Sequence, residues 1–430
     1  MVTAGPGRTS LVALVAACLV SVTGTTMSAI ALPWLVLTVT GDAGIAGLVV
    51  FAELTPYVLM QAVAGPWIDR VGARWTCVIC NAVAGVLVCL LPTLFIDHHA
   101  QIPLVLALLA IAGATRGAAD CANSALLPPA VRAAGIPLVR AAGLISSANR
   151  TGSLVGGALA GVLLVVIDAP LVVLIDGISF LAAAGLLLLV AARPERPDQD
   201  STTEGISYRR KLLQGWRFIA RDRLIFGTTV MNMTTNVFGG ALGSVLLPAW
   251  VVDRAQSPGA LGVMFTCLGL GGLLGSLAAA WLGPRLPRWA AFSVGFLLGG
   301  APLYFVAAAT TAVLPVAAAA LATGLVTGVL NPIVGAVQYE RIPEQLLARV
   351  LGAIKAACWI GVALGPLIGG LAVRMFGVSV VLVGCGALFL LITIAPFVLP
   401  VFKEMDRPPP TARAPTSATI GERRGRGESG

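Results

Sequence analysis

Uncharged apolar runs of roughly 20 residues recur twelve times along this chain, and no other feature limits its fold as strongly. They lie at approximately 11–37, 43–65, 75–96, 102–126, 140–167, 170–192, 224–250, 259–282, 289–309, 312–336, 350–373 and 377–402. A helix of that length crosses a hydrocarbon layer about 30 Å thick. One such run at the N-terminus would suit a signal peptide, but these continue to about residue 402. The runs are continuously apolar instead of alternating with period two, which predicts an all-α membrane protein and not a barrel. Composition agrees: 57% of the 430 residues are hydrophobic and 11% charged, against about 25% charged in a soluble domain.

The net charge of +9 would suggest a nucleic-acid partner in a soluble protein. Here it reports orientation. Of 28 Lys and Arg residues, only Arg254 and Arg374 fall in connections on the side opposite the termini, and Arg116, Arg150 and Lys355 fall inside runs. By the positive-inside rule both termini are cytoplasmic, as an even number of spans requires. The expected surroundings are a lipid bilayer, with no nucleic acid.

Eight cysteines lie within apolar runs and read as small packing residues. The single CxxC, Cys77 to Cys80, has no second pair or histidine cluster beside it, so neither a metal nor another cofactor is expected. His98 and His99 sit together in one external connection.

The longest internal connection, 193–223, separates six runs from six. The expected organisation is an N-terminal bundle (1–192), a cytoplasmic linker (193–223), a C-terminal bundle (224–402) and a disordered tail (403–430). Within the linker, 208–223 reads as a basic amphipathic helix with Leu212, Leu213, Trp216 and Ile219 on one side, suited either to the inner membrane surface or to solvent.

The two halves are related by an internal repeat. In run five Gly143, Gly152, Gly156, Gly157, Ala160 and Gly161 match Gly352, Gly361, Gly365, Pro366, Gly369 and Gly370 of run eleven at one constant offset. Arg132 and Arg140 pair with Arg341 and Arg349 at the same offset. The segment Gly65-Pro66-Trp67-Ile68-Asp69-Arg70 corresponds to Gly283-Pro284-Arg285-Leu286-Pro287-Arg288. Matched elements keep the same membrane orientation. Two parallel six-helix halves form a transporter architecture, with the substrate site between them near the midplane.

The segment from Gly65 to Arg74, with its Gly65, Asp69, Arg70 and Gly72 skeleton, resembles the signature between helices two and three of the major facilitator superfamily. It departs at Ala73, where that family usually has a basic residue, and Arg74 follows. The glycine pattern resembles the family's antiporter signature, intact in run eleven and altered in run five at Gly157 and Ala160. Gly152, Gly156 and Ala160 share one helix face, which also suits close helix packing alone. Ala31-Leu32-Pro33-Trp34, Thr40-Gly41, Gly44 and Gly47 are similar to the opening of the enterobactin-exporter and macrolide-efflux branch. The resemblance implies a monomeric secondary transporter, not an enzyme, that exports a small hydrophobic or amphipathic compound in exchange for protons. The same fold also permits a metabolite importer, and a membrane sensor is the third reading.

Ionisable groups inside a membrane are costly and are functional candidates by default. Glu53 lies about 15 Å into run two, near the midplane. Arg116 and Asp120, one turn apart in run four, can neutralise each other. Arg116 occupies a depth where the resembled family often has an arginine. Arg150, mid-depth in run five, needs a partner from elsewhere, with Glu53 and Asp120 the available anions. Asp176 is placed to reach the external surface, and Lys355 to snorkel. Glu53, or else Asp120 gated by Arg116, is the expected proton carrier. Asn232, Thr235 and Asn236 form a polar stripe on run seven that suits either a substrate cavity or interhelical hydrogen bonds.

Overall fold

The computed structural model describes residues 6–95, 101–136, 138–190, 208–282 and 285–406. Among these, twelve helices are long and apolar enough to span a membrane. Spans 1 to 6 are α1 (Pro6–Thr40), α2 (Ala43–Val63), α4 (Ala73–Leu90), α5 (Ile102–Ala134), α6 (Leu138–Val166) and α7 (Ala169–Leu187), with the short α3 (Gly65–Val71) between spans 2 and 3. After α8 (Tyr208–Arg221), span 7 comprises α9 (Arg223–Ala241), a π-turn (Leu242–Leu246) and α10 (Leu247–Asp253). Span 8 is α11 (Gly259–Leu282), and span 9 is α12 (Arg288–Leu298) followed by α13 (Ala301–Ala309). Spans 10 to 12 are α14 (Val313–Arg341), α15 (Glu344–Phe376), and α16 (Val378–Thr393) with α17 (Ala395–Val398).

The spans form two six-helix bundles packed through small residues. Gly156 in span 5 sits against Thr23 of span 1, leaving only 2.5 Å between a Cβ and the Thr23 carbonyl oxygen. Its repeat partner Gly365 sits as closely against Val237 of span 7. Lipid tails are as apolar as a leucine side chain, so close backbone approach, not exclusion of apolar surface from water, holds such helices together. Between the bundles, span 2 packs on span 11 and span 5 on span 8, as the parallel repeat requires.

Local chemistry fixes several joints. Spans 1 and 2 are linked by Gly41 and Asp42 alone. Gly41 takes a φ of +66° that a side chain would strain, and the Asp42 carboxylate accepts from the Gly44 N–H at 2.7 Å, capping α2.

Four expectations change. Span 9 is interrupted at Gly299–Gly300, which continuous hydropathy could not reveal. Spans 4 and 10 run past the expected ends to Ala134 and Arg341, because lipid thickness does not limit a helix that continues into water. Helix α8 forms within the expected limits, but its expected apolar side is divided: Ile219 packs in a buried cluster with Ile225, Ile342, Val350 and Ile354, Trp216 is exposed, and the Leu212 and Leu213 side chains lie outside the described residues. Residues 403–406 are a 3-10 turn with Met405 buried beside Phe292 and Phe402, not disordered tail. Residues 407–430, 193–207 and the His98-His99 pair lie outside the described residues.

Candidate functional site

Spans 2 and 4 point the same way and touch backbone to backbone. Gly113 lies on the Glu53 carbonyl and Gly117 on the Tyr57 carbonyl, and neither has room for a Cβ. This contact sets the register, so residues of the two helices meet as rungs with a constant separation of 63. On one rung Arg116 forms an ion pair with Glu53. On the next, the Tyr57 hydroxyl donates to an Asp120 carboxylate oxygen at 2.7 Å. The Arg116 guanidinium also donates to the Thr25 hydroxyl at 3.3 Å and lies 5.3 Å from the Phe180 ring and 5.7 Å from the Tyr57 ring. The expected neutralisation of Arg116 by Asp120 within one helix is therefore replaced by pairing across two helices. An ion pair along one helix asks long side chains to lie on the surface, whereas the neighbouring helix presents Glu53 directly.

Three other charges are also placed differently from expectation. Asp176 does not reach the external surface: it is buried, with the Ser179 hydroxyl donating to it at 3.4 Å. Gly24 of span 1 makes room for it, since a Cβ there would stand 2.6 Å from its carboxylate oxygen. Arg150 meets neither Glu53 nor Asp120, and donates to the Ser276 hydroxyl of span 8 at 3.0 Å, across the seam between bundles. Lys355 lines a cavity shared with Asp120 instead of snorkelling.

That cavity has a volume of about 870 Å³ and lies between the bundles. Its first-half wall carries Glu53, Tyr57, Arg116 and Asp120, and its second-half wall carries Ser244, Lys355 and Trp359. Tyr57 and Trp359 meet across it with ring centroids 5.3 Å apart. It extends toward the face that bears Pro6 and Asp406. At the opposite face the bundles close: Gly47 abuts the Pro366 carbonyl, Gly370 abuts Ala43, and Gly161 abuts Gly262, each without space for a Cβ. Asp42 and Arg374 form an ion pair at 3.4 Å on that closed face.

The glycine pattern is thus divided. Gly152, Gly156, Gly361 and Gly365 pack each helix on its own bundle, and Gly369 faces Ala241. Gly161, Pro366 and Gly370 form the closed seam, with Gly157 facing Phe265 of span 8 at 3.6 Å. Gly143 and Gly352 have open space where a Cβ would stand. In the segment from Gly65, Gly72 caps both α3 and α4 with a φ of +88°. Arg74 donates to the Leu188 carbonyl at 2.5 Å and lies over the Trp75 ring. Arg70 is exposed, and the Asp69 side chain lies outside the described residues. The second-half counterpart of Arg70, Arg288, donates to Glu340 at 2.8 Å; the repeat places Val131 where Glu340 would stand in the first half.

Asn232, Thr235 and Asn236 line a second cavity of about 470 Å³ within the second bundle. Thr235 also donates to the Met231 carbonyl at 2.9 Å. Sequence reasoning offered Asn232, Thr235 and Asn236 for a cavity, but missed its aromatic lining and also missed Tyr57, Trp359 and Ser276. The signal for Tyr57 was the Gly113/Gly117 pair, which marks a helix contact one turn long beside Arg116 and Asp120.

Residues 14–253 and 233–426 match the family model described as the Major Facilitator Superfamily. The multidrug efflux pump Tap of Mycobacterium tuberculosis is 29% identical over 402 residues, covering 91% of this chain and 94% of that one. Among solved structures, the nucleoside transporter NupG superposes with a TM-score of 0.73 at 13% identity, covering 90% of this chain and 98% of its own. An inward-facing, unoccupied bacterial homologue of the human lysosomal transporter Spinster superposes with a TM-score of 0.67 at 15% identity, covering 94% and 97%. At those identities the two structures share the fold alone. The chain belongs to the Major Facilitator Superfamily, and is a multi-pass membrane transporter of small molecules.

Proposed function

We propose that this transporter exports small hydrophobic or amphipathic compounds across the cytoplasmic membrane of a bacterial cell, in exchange for protons. The observation that carries this reading is the ladder of membrane-buried charge, Glu53–Arg116 above Asp120–Tyr57, in the wall of a cavity between the two bundles. The similarity to a multidrug efflux pump over nearly the whole of both chains supports the direction. The cationic connections support a cytoplasmic location for the face bearing both termini, and in that orientation the cavity opens inward and is closed outward. The working unit is a monomer, with halves 1–192 and 224–402 joined by the connection 193–223.

In this mechanism the bundles rock about the cavity, exposing it to alternate sides. A proton arriving from outside neutralises Glu53 and frees Arg116, which can then turn to Asp120 one turn away. That exchange displaces the Tyr57 hydroxyl and alters the Tyr57–Trp359 contact between bundles. The proton leaves Glu53 to the cytoplasm when Arg116 returns. The Gly65–Arg74 segment serves as a cytoplasmic latch when the bundles close on that side.

The test is uptake into inverted membrane vesicles under an imposed proton gradient, using a panel of amphipathic compounds. Uptake should stop when the gradient is collapsed, and Glu53→Gln should abolish the gradient-driven part. Unchanged transport by Glu53→Gln at every gradient removes Glu53 from coupling, and no uptake of any compound overturns the export reading.

A further inference from the structure

The chamber inside the second bundle has a chemical character distinct from that of the larger cavity. Its volume is about 470 Å³, within the range of pockets that enclose drug-sized ligands, about 300–1,000 Å³. Among the described residues, no charged side chain lines it. Phe265, Phe296 and Phe389 supply apolar ring faces, and Asn232, Asn236 and Asn331 supply neutral amides. Asn232 is half-buried and Asn331 exposed, and with no side-chain hydrogen bond to the described residues both amides are accessible to a bound molecule.

The space is built, not incidental to helix packing. Gly239 and Gly243, one turn apart on span 7, both line it. Nothing lies within 4 Å of a Cβ added at Gly239, and at Gly243 the nearest atom is a Phe265 ring carbon at 3.7 Å. Gly240 between them is different: its Cβ would stand 2.6 Å from the Val362 carbonyl oxygen, so packing on span 11 requires a glycine there. No neighbour requires Gly239 or Gly243, and their missing side chains leave the chamber open. The break in span 9 at Gly299 and Gly300 borders the same space. The chamber and the larger cavity share walls, because Gly243 faces one and Ser244 the other, and Cys358 and Trp359 divide likewise.

We propose that this chamber binds the uncharged aromatic portion of the transported compound, resting on the export of amphipathic molecules proposed above. The ring stacks on Phe265, Phe296 or Phe389, and a carbonyl, hydroxyl or amide substituent bonds to Asn232 and Asn331. The remainder of the molecule lies in the larger cavity beside Tyr57 and Trp359. The substrate class is therefore a neutral aromatic head joined to a second group that reaches the charged half.

Photolabelling of the full chain in lipid nanodiscs with benzophenone, followed by mapping of adducts by mass spectrometry, tests the site. Adducts should form on Met264 and Phe265, and Gly239→Leu should lower them at least tenfold with no loss of melting temperature. Gly243→Leu is the second filling variant. Adducts absent from these residues, or undiminished in both variants, overturn the site. Labelling needs no turnover: a labelled chamber in a protein that moves nothing in vesicles overturns export and leaves the site standing, whereas transport with an unlabelled chamber overturns the site alone.

Discussion

At the scale of single residues, the Glu53–Arg116 pair has the largest energetic consequence. Both side chains are largely buried, at 19% and 16% exposure. Removing one partner of such a pair leaves a charge without compensation, which costs about 3–5 kcal/mol, whereas removing both can be nearly neutral. Arg116→Gln should therefore lower thermal stability in detergent by about 3 kcal/mol, and the double variant Glu53→Gln/Arg116→Gln should recover much of that loss. A double-mutant cycle read by melting would show a coupling of about 2 kcal/mol or more; additive losses would mean that the two side chains do not interact. Tyr57→Phe removes a hydrogen bond to a carboxylate and should cost about 2 kcal/mol by the same measurement. The candidates Glu53, Arg116 and Asp120 were legible in the sequence because charge is rare in apolar runs. Their partners were not. A partner is fixed by which helix lies alongside and in what register, and Gly113 and Gly117 set that register through a contact between distant segments.

At the scale of elements, glycine carries two different meanings that a sequence pattern does not separate. Gly156 meets the Thr23 carbonyl and the Thr26 side chain, whereas Gly143 in the same helix meets nothing. Gly156→Ala should therefore cost about 1–3 kcal/mol through overpacking, while Gly143→Ala should be neutral or stabilise by up to about 1 kcal/mol through helix propensity. Equal effects on melting would contradict this division. The spans themselves were legible because hydrophobic length reports them directly. The break in span 9 and the π-turn in span 7 were not, since neither interrupts the apolar run: each depends on how neighbouring helices meet the freed backbone groups.

For the whole molecule, the arrangement is asymmetric in depth: closed by backbone contact at one face and hollow from the middle toward the other. If transport needs the closed face to open, tethering it should stop turnover without blocking access to the cavity. Asp42→Cys/Arg374→Cys bridged by a short thiol-specific cross-linker should lose transport at least tenfold and retain binding of substrate from the open side, with recovery on cleavage of the linker. Each single substitution, Asp42→Cys or Arg374→Cys, treated with the same cross-linker is the control for the eight native cysteines, and undiminished transport by the bridged protein would rule out rocking at this seam. Twelve helices and a parallel repeat followed from the sequence alone, because the thickness of lipid and the satisfaction of backbone hydrogen bonds act on each segment separately, and duplicated positions stay visible as matched glycines. Which charges pair, that Asp176 is buried beside span 1, that Arg150 reaches Ser276, and that an uncharged aromatic chamber lies inside the second bundle were decided only by the tertiary structure. These depend on the distance between residues far apart in the chain, and that distance is set by helix packing.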